Sequence, residues 1–287
     1  MKKFSLLIVL FILFCTTGCI KRDSLEDIKI YTTIYPIEYI TERLYGSHSN
    51  IYSIYPNGVN VNDYELTDKL IKDYSDASLV IFNGIGKEKD YVISMYKNNK
   101  DIKIIDSTLS MEYTNSYEEM WLDPLNYLMM IQNIRTGFKQ YITNHYLKNE
   151  IDENYEKLKL EISSLDAKFK LMAENANDKN VVVSSDLFKF LEKYNLKVYS
   201  LEENENLTDK TKEEVKKLIN NGQIKYIFVR NDEEINSTIQ SIIDETNVEV
   251  LYLHTLTNLK EEERKNNDDY ISIMNDNLDL LKQEVYE

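Results

Sequence analysis

The stretch Tyr141–Asn177, YITNHYLKNEIDENYEKLKLEISSLDAKFKLMAENAN, decides the fold. Its apolar residues Leu147, Ile151, Tyr155, Leu158, Ile162, Leu165, Phe169 and Met172 alternate spacings of four and three, so one helical face carries all of them. Neither Gly nor Pro interrupts the run. Lys148, Glu150, Asp152, Glu153, Glu156, Lys157, Lys159 and Glu161 fill the other face, the solvated side of a long amphipathic helix. A coiled coil would use the same pattern. The Tyr and Phe in the stripe, and the α/β character of the sequence on either side, favour instead a helix packed along two lobes. At about 1.5 Å per residue it reaches roughly 50 Å, a rigid spine between domains.

Outward from that spine, the 287 residues suit two domains of ordinary size after removal of a leader. Tyr (22) far outnumbers Gly (7) and Pro (3), which predicts regular elements with few low-complexity linkers. A formal charge of -15 argues against nucleic acid as a partner and suits a cationic ligand better.

The amino terminus, Met1-Lys2-Lys3 followed by the apolar run Phe4 to Phe14, has the charged start and short apolar segment of a secretory signal, too short to span a membrane as a helix. It ends in Thr16-Thr17-Gly18-Cys19, which resembles the lipobox of bacterial lipoproteins, with Thr16 where Leu is usual. That resemblance implies a signal peptide over 1–18, a diacylglyceryl group on Cys19 and a tether over 19–27. Cys15 leaves with the leader, so no thiol remains for a disulfide, a metal or a nucleophile.

Strands are expected at Ile28 to Tyr35, Asn50 to Tyr55, Leu79 to Phe82 and Ile102 to Ile105, alternating with helices at Ile37 to Leu44, Leu66 to Tyr74 and Lys87 to Tyr96. Beyond the spine the rhythm repeats. Strands are expected at Val181 to Val183, Lys197 to Leu201, Tyr226 to Val229 and Val248 to Leu253. Helices are expected at Leu187 to Tyr194, Lys210 to Asn220, Ile235 to Glu245 and Tyr270 to Tyr286. Alternation of this kind predicts parallel sheets covered on both faces. The fold class is therefore α/β: a four-stranded lobe over 28–140, a connecting helix over 141–178 and a second four-stranded lobe over 179–287, with a ligand cleft at the carboxyl ends of the strands.

Four loops fall at those strand ends: Gly58 to Thr67, Glu119 to Pro124, Ser184 to Phe188 and Leu253 to Leu256. Together with Asp76-Ala77-Ser78-Leu79-Val80-Ile81-Phe82-Asn83-Gly84-Ile85-Gly86, Trp121-Leu122-Asp123-Pro124 and the closing Asp269 to Leu278, their order resembles the solute-binding lipoproteins of zinc and manganese ABC importers, whose lobes are bridged by one long helix. The resemblance covers the mature chain. It implies capture of a divalent metal, manganese or zinc, between the lobes and its delivery to an ABC permease and ATPase at the outer face of the bacterial cytoplasmic membrane, by a lipid-anchored monomer.

The family's ligand positions fall here on Asn62, Glu119, Ser185 and His254, and all four are altered. Asn62 and Ser185 offer neutral oxygens, poor partners for zinc, so a tight His-rich zinc site is not expected. Glu119 and His254 are the two with a charged oxygen or imidazole donor, and Asp63, Asp186 and Glu205 stand near enough in sequence to help. Such an oxygen-rich set suits manganese better than zinc. Plainer roles compete at each position: Asn62 and Ser185 as helix caps, Asp63 and Asp186 as first-turn carboxylates, Glu119 and the run Glu202 to Glu205 as solvated acid, Trp121 as core or lobe-interface packing. His48 and His145 are bystanders. Gly84-Ile85-Gly86 lacks the third glycine of a dinucleotide fingerprint, and neither Ser184 nor Ser185 sits in a hydrolase elbow, so no enzyme is expected. The alternative function is a scaffold that has lost metal binding and acts as an adhesion or interaction lipoprotein or binds a non-metal ligand.

Overall fold

The computed structural model describes residues 25–286, so the leader, Cys19 and most of the tether lie outside the described residues. Strands β1 (Ile28–Thr32), β2 (Ser49–Ser53), β3 (Leu79–Phe82) and β4 (Lys103–Asp106) form a parallel sheet ordered β2-β1-β3-β4. Strands β5 (Asn180–Val183), β6 (Lys197–Ser200), β7 (Tyr226–Arg230) and β8 (Glu249–Leu253) repeat that order as β6-β5-β7-β8, also parallel. Central strands must be apolar on both faces, which is why β3 is LVIF with every residue buried and β5 carries three consecutive buried valines. The expected two-lobed α/β fold is the observed one.

Helices α1 (Tyr35–Tyr45), α2 (Asp68–Tyr74) and α3 (Glu88–Asn98) cover the first sheet, and α7 (Asp209–Asn220) and α8 (Ser237–Thr246) the second. Between the lobes lie the one-turn α4 (Glu119–Leu122), α5 (Pro124–Tyr141) and the spine α6 (His145–Glu174), and after β8 come α9 (Glu261–Asn266) and α10 (Tyr270–Val285). Several boundaries differ from expectation. The first strand stops at Thr32, because Pro36 sits in the first turn of α1, where its missing N–H costs nothing. The spine starts at His145 rather than Tyr141: the Asn144 side chain accepts the Tyr146 N–H at 2.9 Å and opens a new helix. The segment before that cap is a separate helix folded back on the spine, tied by Arg135 and Lys139 to Asp152 at 2.7 and 2.6 Å. Gly137 lets α5 approach β4, since a Cβ there would come within 2.7 Å of the Ile105 side chain. The expected helix at Leu187 to Tyr194 is a 3-10 helix, Asp186–Tyr194. The short α4 and α9 have no periodicity long enough to announce them.

Seven of the eight stripe residues are buried, and the eighth, Tyr155, lies under the Arg135 guanidinium at 4.3 Å. The first half of the spine meets the first lobe, where Arg43 of α1 grips Glu161 with two bonds of 2.6 and 2.8 Å. The second half meets the other lobe, where Tyr194 donates to Asp166 at 2.7 Å and Lys168 to Asn275 at 2.6 Å. One continuous apolar core runs from Leu25 through the spine to Val285, and a smaller cluster lies under α7 and α8. Tyr270 keys the lobes together: its ring stacks on Tyr127 at 4.0 Å and Tyr39 at 5.9 Å, and its hydroxyl donates to the Trp121 carbonyl at 2.6 Å. No described helix is long and apolar enough to cross a membrane.

Ile162 is fully buried in that shared core. Ile162→Asp is expected to cost about 3–5 kcal/mol and lower the melting temperature by roughly 10 °C in one transition of the whole molecule. Loss of one lobe alone in calorimetry would show that the lobes do not share their stability.

Glu284 of α10 is buried and accepts the Tyr226 N–H at 2.9 Å and that of Lys225 at 3.2 Å, joining α10 to the start of β7. Burial pushes its carboxyl pKa up to about 7, against the lowering effect of the two N–H donors. The folded state therefore holds this proton more tightly than the unfolded chain, whose carboxyl titrates near the ordinary 4.5. Stability from this group is greatest below that value and falls as pH rises to about 7. Glu284→Gln should remove this slope, so urea unfolding should favour the variant more at about pH 7.5 than at about pH 5. A gap between the two proteins that is the same at both pH values would contradict the assignment.

Candidate functional site

In each sheet the chain crosses to one side of the first strand and then to the other, so β1/β3 and β5/β7 are switch points whose carboxyl ends open a crevice. The segments after β7 and β8 face the first lobe's segment after β2 there. Between them lies a cavity of about 320 Å³, lined from the first lobe by Asn60 and its neighbours and from the second by Asp232, Glu233, His254, Thr255 and Lys260. It is within the size range of small-ligand sites.

At its edge the last residue of β7, Arg230, is buried, with 5% of its surface exposed. Its guanidinium bonds Asp232 at 2.7 and 2.9 Å, and Glu118, which belongs to the first lobe, at 3.0 and 3.4 Å. Glu233 completes the set at 3.2 Å. Glu118 is itself only 4% exposed. Burial raises its carboxyl pKa, and the guanidinium does not fully offset that. For Asp232 burial acts in the same direction, but the closer bonds from Arg230 win and hold its carboxyl below the usual range. Asp232 also accepts from the Thr255 hydroxyl at 3.0 Å. A pair of this kind gives little net stability, but breaking it leaves a buried charge at a cost of about 3–5 kcal/mol.

The segment 254–260 straps the second lobe onto the first. The Trp121 indole N–H donates to the Thr255 carbonyl at 2.8 Å, the Tyr35 N–H to Thr257 at 3.1 Å and the Gly58 N–H to Leu259 at 2.8 Å. Asn258 donates to the Pro56 and Val59 carbonyls at 2.7 and 3.1 Å, and Arg264 binds Glu38 with bonds of 2.6 and 2.9 Å. Trp121 is thus packing and latch between lobes. Leu256 takes the left-handed conformation, φ 62°, unusual for a branched residue; its burial and its N–H bond to His254 Nδ1 at 2.8 Å hold it there.

The four positions singled out in the sequence do not meet as one cluster. His254 lines the cavity, but both its nitrogens are engaged: Nδ1 accepts from Leu256, which assigns the proton to Nε2, and Nε2 faces Glu263 at 3.3 Å. Glu119 is buried and turned inward, not solvated: its carboxylate accepts the N–H groups of Thr114, Asn115 and Ser116 at 3.2, 2.9 and 3.3 Å, closing the loop before α4. Asn62 is exposed; its side chain accepts from the Tyr117 hydroxyl at 2.7 Å and caps no helix. Ser185 does cap the helix at Asp186–Tyr194, and its hydroxyl donates to Glu202 at 2.7 Å. Of the helpers, Asp63 and Glu205 are exposed, and Asp186 is held by Lys189 at 2.9 Å. Glu202, read as solvated, also accepts the Asp186 N–H at 2.6 Å. His48 pairs with Glu150 at 2.9 Å, and His145 is exposed. Among the described residues no three His, Cys, Asp or Glu side chains form a metal-holding cluster.

Sequence reading missed Glu118, Arg230, Asp232 and Glu233. The available signal was a cation directly ending the apolar run Ile227 to Val229 and followed by Asp232-Glu233-Glu234, an expensive place for an unpaired charge.

Residues 30–284 match the profile of a family described as the zinc-uptake complex component A, periplasmic. Among its relatives, the manganese ABC transporter substrate-binding lipoprotein PsaA of Streptococcus anginosus is 26% identical over 310 residues, which cover 99% of each chain. The zinc-binding lipoprotein AdcA of Streptococcus pneumoniae is 23% identical across 99% of this chain and 61% of its own length. Of solved structures, the Zn(II)-bound ZnuA-like domain of that AdcA superposes with a TM-score of 0.75 at 22% identity, covering 91% of this chain and all of that domain. A laminin-binding adhesin of Streptococcus agalactiae does so at 0.73 and 15% identity, over 90% of this chain and 99% of its own. With the two lobes, the spine and the cleft already in place, the chain belongs to the family of the zinc-uptake complex component A.

Proposed function

We propose that this protein is the extracytoplasmic solute-binding component of a metal-type ABC importer, capturing a divalent ion, manganese or zinc, between its lobes and presenting it to a permease driven by an ATPase. The supporting observation is the match across 30–284, together with a cleft cavity lined from both lobes. In this reading the chain binds and releases without catalysis, acts as a monomer, and stands at the outer face of the cytoplasmic membrane.

The donors we assign to the ion are His254 and Glu119, with the cavity carboxylates Asp232 and Glu233 as neighbours. Each is engaged in the structure, so binding requires Glu263 to leave His254 Nε2 and the 114–116 N–H groups to release Glu119. That cost predicts modest affinity, and the scarcity of imidazole favours manganese over zinc. Calorimetric titration of the metal-stripped protein with each ion is expected to give manganese binding weaker than nanomolar that His254→Ala abolishes. Nanomolar zinc binding that survives His254→Ala would overturn the donor assignment. Absence of heat with either ion would overturn the metal reading in favour of an interaction lipoprotein.

Anchoring is assigned to Cys19 on the strength of Thr17-Gly18-Cys19. A fatty-acid analogue should label the wild type and partition it with membranes, and Cys19→Ala should lose both. Label and membrane association that persist unchanged in Cys19→Ala would place the anchor elsewhere.

A further inference from the structure

We propose that Arg230 is a resident cation of the cleft: its guanidinium supplies the positive charge that bridges the lobes, so that closure does not depend on a bound metal. The inference rests on reading the crevice as the cargo cleft. Three observations carry it. Arg230 arises at the carboxyl end of a central strand, where the sheet's switch point opens the crevice, yet it is buried, with 5% exposed. Its partners come from both sides, Glu118 from the first lobe at 3.0 and 3.4 Å and Asp232 and Glu233 from the second at 2.7 and 3.2 Å. A planar guanidinium with five donors can satisfy several carboxylates at once, as a multivalent ion would, and it is never deprotonated in a protein.

This arrangement also differs from a metal site in kind. A tethered cation cannot be handed on, so the carboxylates it holds are withdrawn from cargo binding. Any ion entering the neighbouring cavity meets a fixed positive charge beside Asp232, which lowers affinity for small divalent ions and makes the empty protein resemble the loaded one. Without the guanidinium, carboxylates of the two lobes face each other unbalanced, a condition that opens the cleft or recruits an ion from solution.

Hydrogen exchange on the full chain, metal-stripped and held in detergent, tests this at segments 118–122 and 228–234. Wild type should be protected in both without metal, and excess manganese or zinc should change neither. Arg230→Met should exchange roughly tenfold faster in both while the spine stays protected, and excess manganese should restore the protection. Arg230→Lys should lie between. A role in packing alone predicts loss that manganese does not rescue, and that result overturns the proposal. So does wild-type protection that appears only when metal is added. If Arg230→Met unfolds as a whole, the isosteric Glu118→Gln decides: faster exchange at 228–234 with an intact spine supports the proposal, and an unchanged rate refutes it. Failure of the metal reading would appear as absent heat in the titration and would leave this exchange pattern in place.

Discussion

Burial of one face of α6 is the constraint on which the rest depends. Because the spine meets the first lobe near Glu161 while Phe169 packs on Phe190 and Tyr194 of the second, neither lobe can complete its core alone, and a single apolar cluster runs through both. A close-packed interior of this kind resists continuous deformation. Arg43–Glu161 on one side and Tyr194–Asp166 on the other fix the rotation of the helix, so the crevice is set by the spine rather than by a hinge.

Above the spine, the lobes are fastened a second time along the mouth of the crevice. The strap at 254–260 uses backbone carbonyls as acceptors for Trp121, Tyr35 and Gly58, and Tyr270 adds a stack of rings. Tyrosine suits this work because its ring buries apolar area while its hydroxyl finds a partner, as the bonds from Tyr127 to Pro36 and from Tyr45 to Leu25 also show. Such extensive fastening restricts how far the lobes can part.

The donor chemistry of the crevice follows from where each carboxylate points. Glu118 and Glu119 are neighbours at the start of α4, and one turn of helix sends them to different tasks, Glu118 to Arg230 and Glu119 to the amides of 114–116. His254 lines the cavity, but Leu256 and Glu263 occupy its ring. The family scaffold is kept, and the four positions singled out in the sequence each make structural bonds.

The sequence by itself determined the elements and their grouping: eight strands, the spine stripe and the two-lobe repeat are readable because periodicity and buried valine runs are local properties of the chain. It also gave Ser185 as a cap, which follows from neighbouring residues, and Trp121 as core or lobe-interface packing, which the structure resolves as contact between lobes. It placed the start of the spine too early, because a periodic stripe does not reveal a three-residue break that one Asn side chain caps. What only the tertiary structure decided is which charges meet. Glu118 and Arg230 stand 112 residues apart, and their pairing depends on the helical phase of α4, the end of β7 and the docking of two lobes. Local pattern does not encode that geometry, because electrostatic pairing is set by distance in space and by exclusion of water.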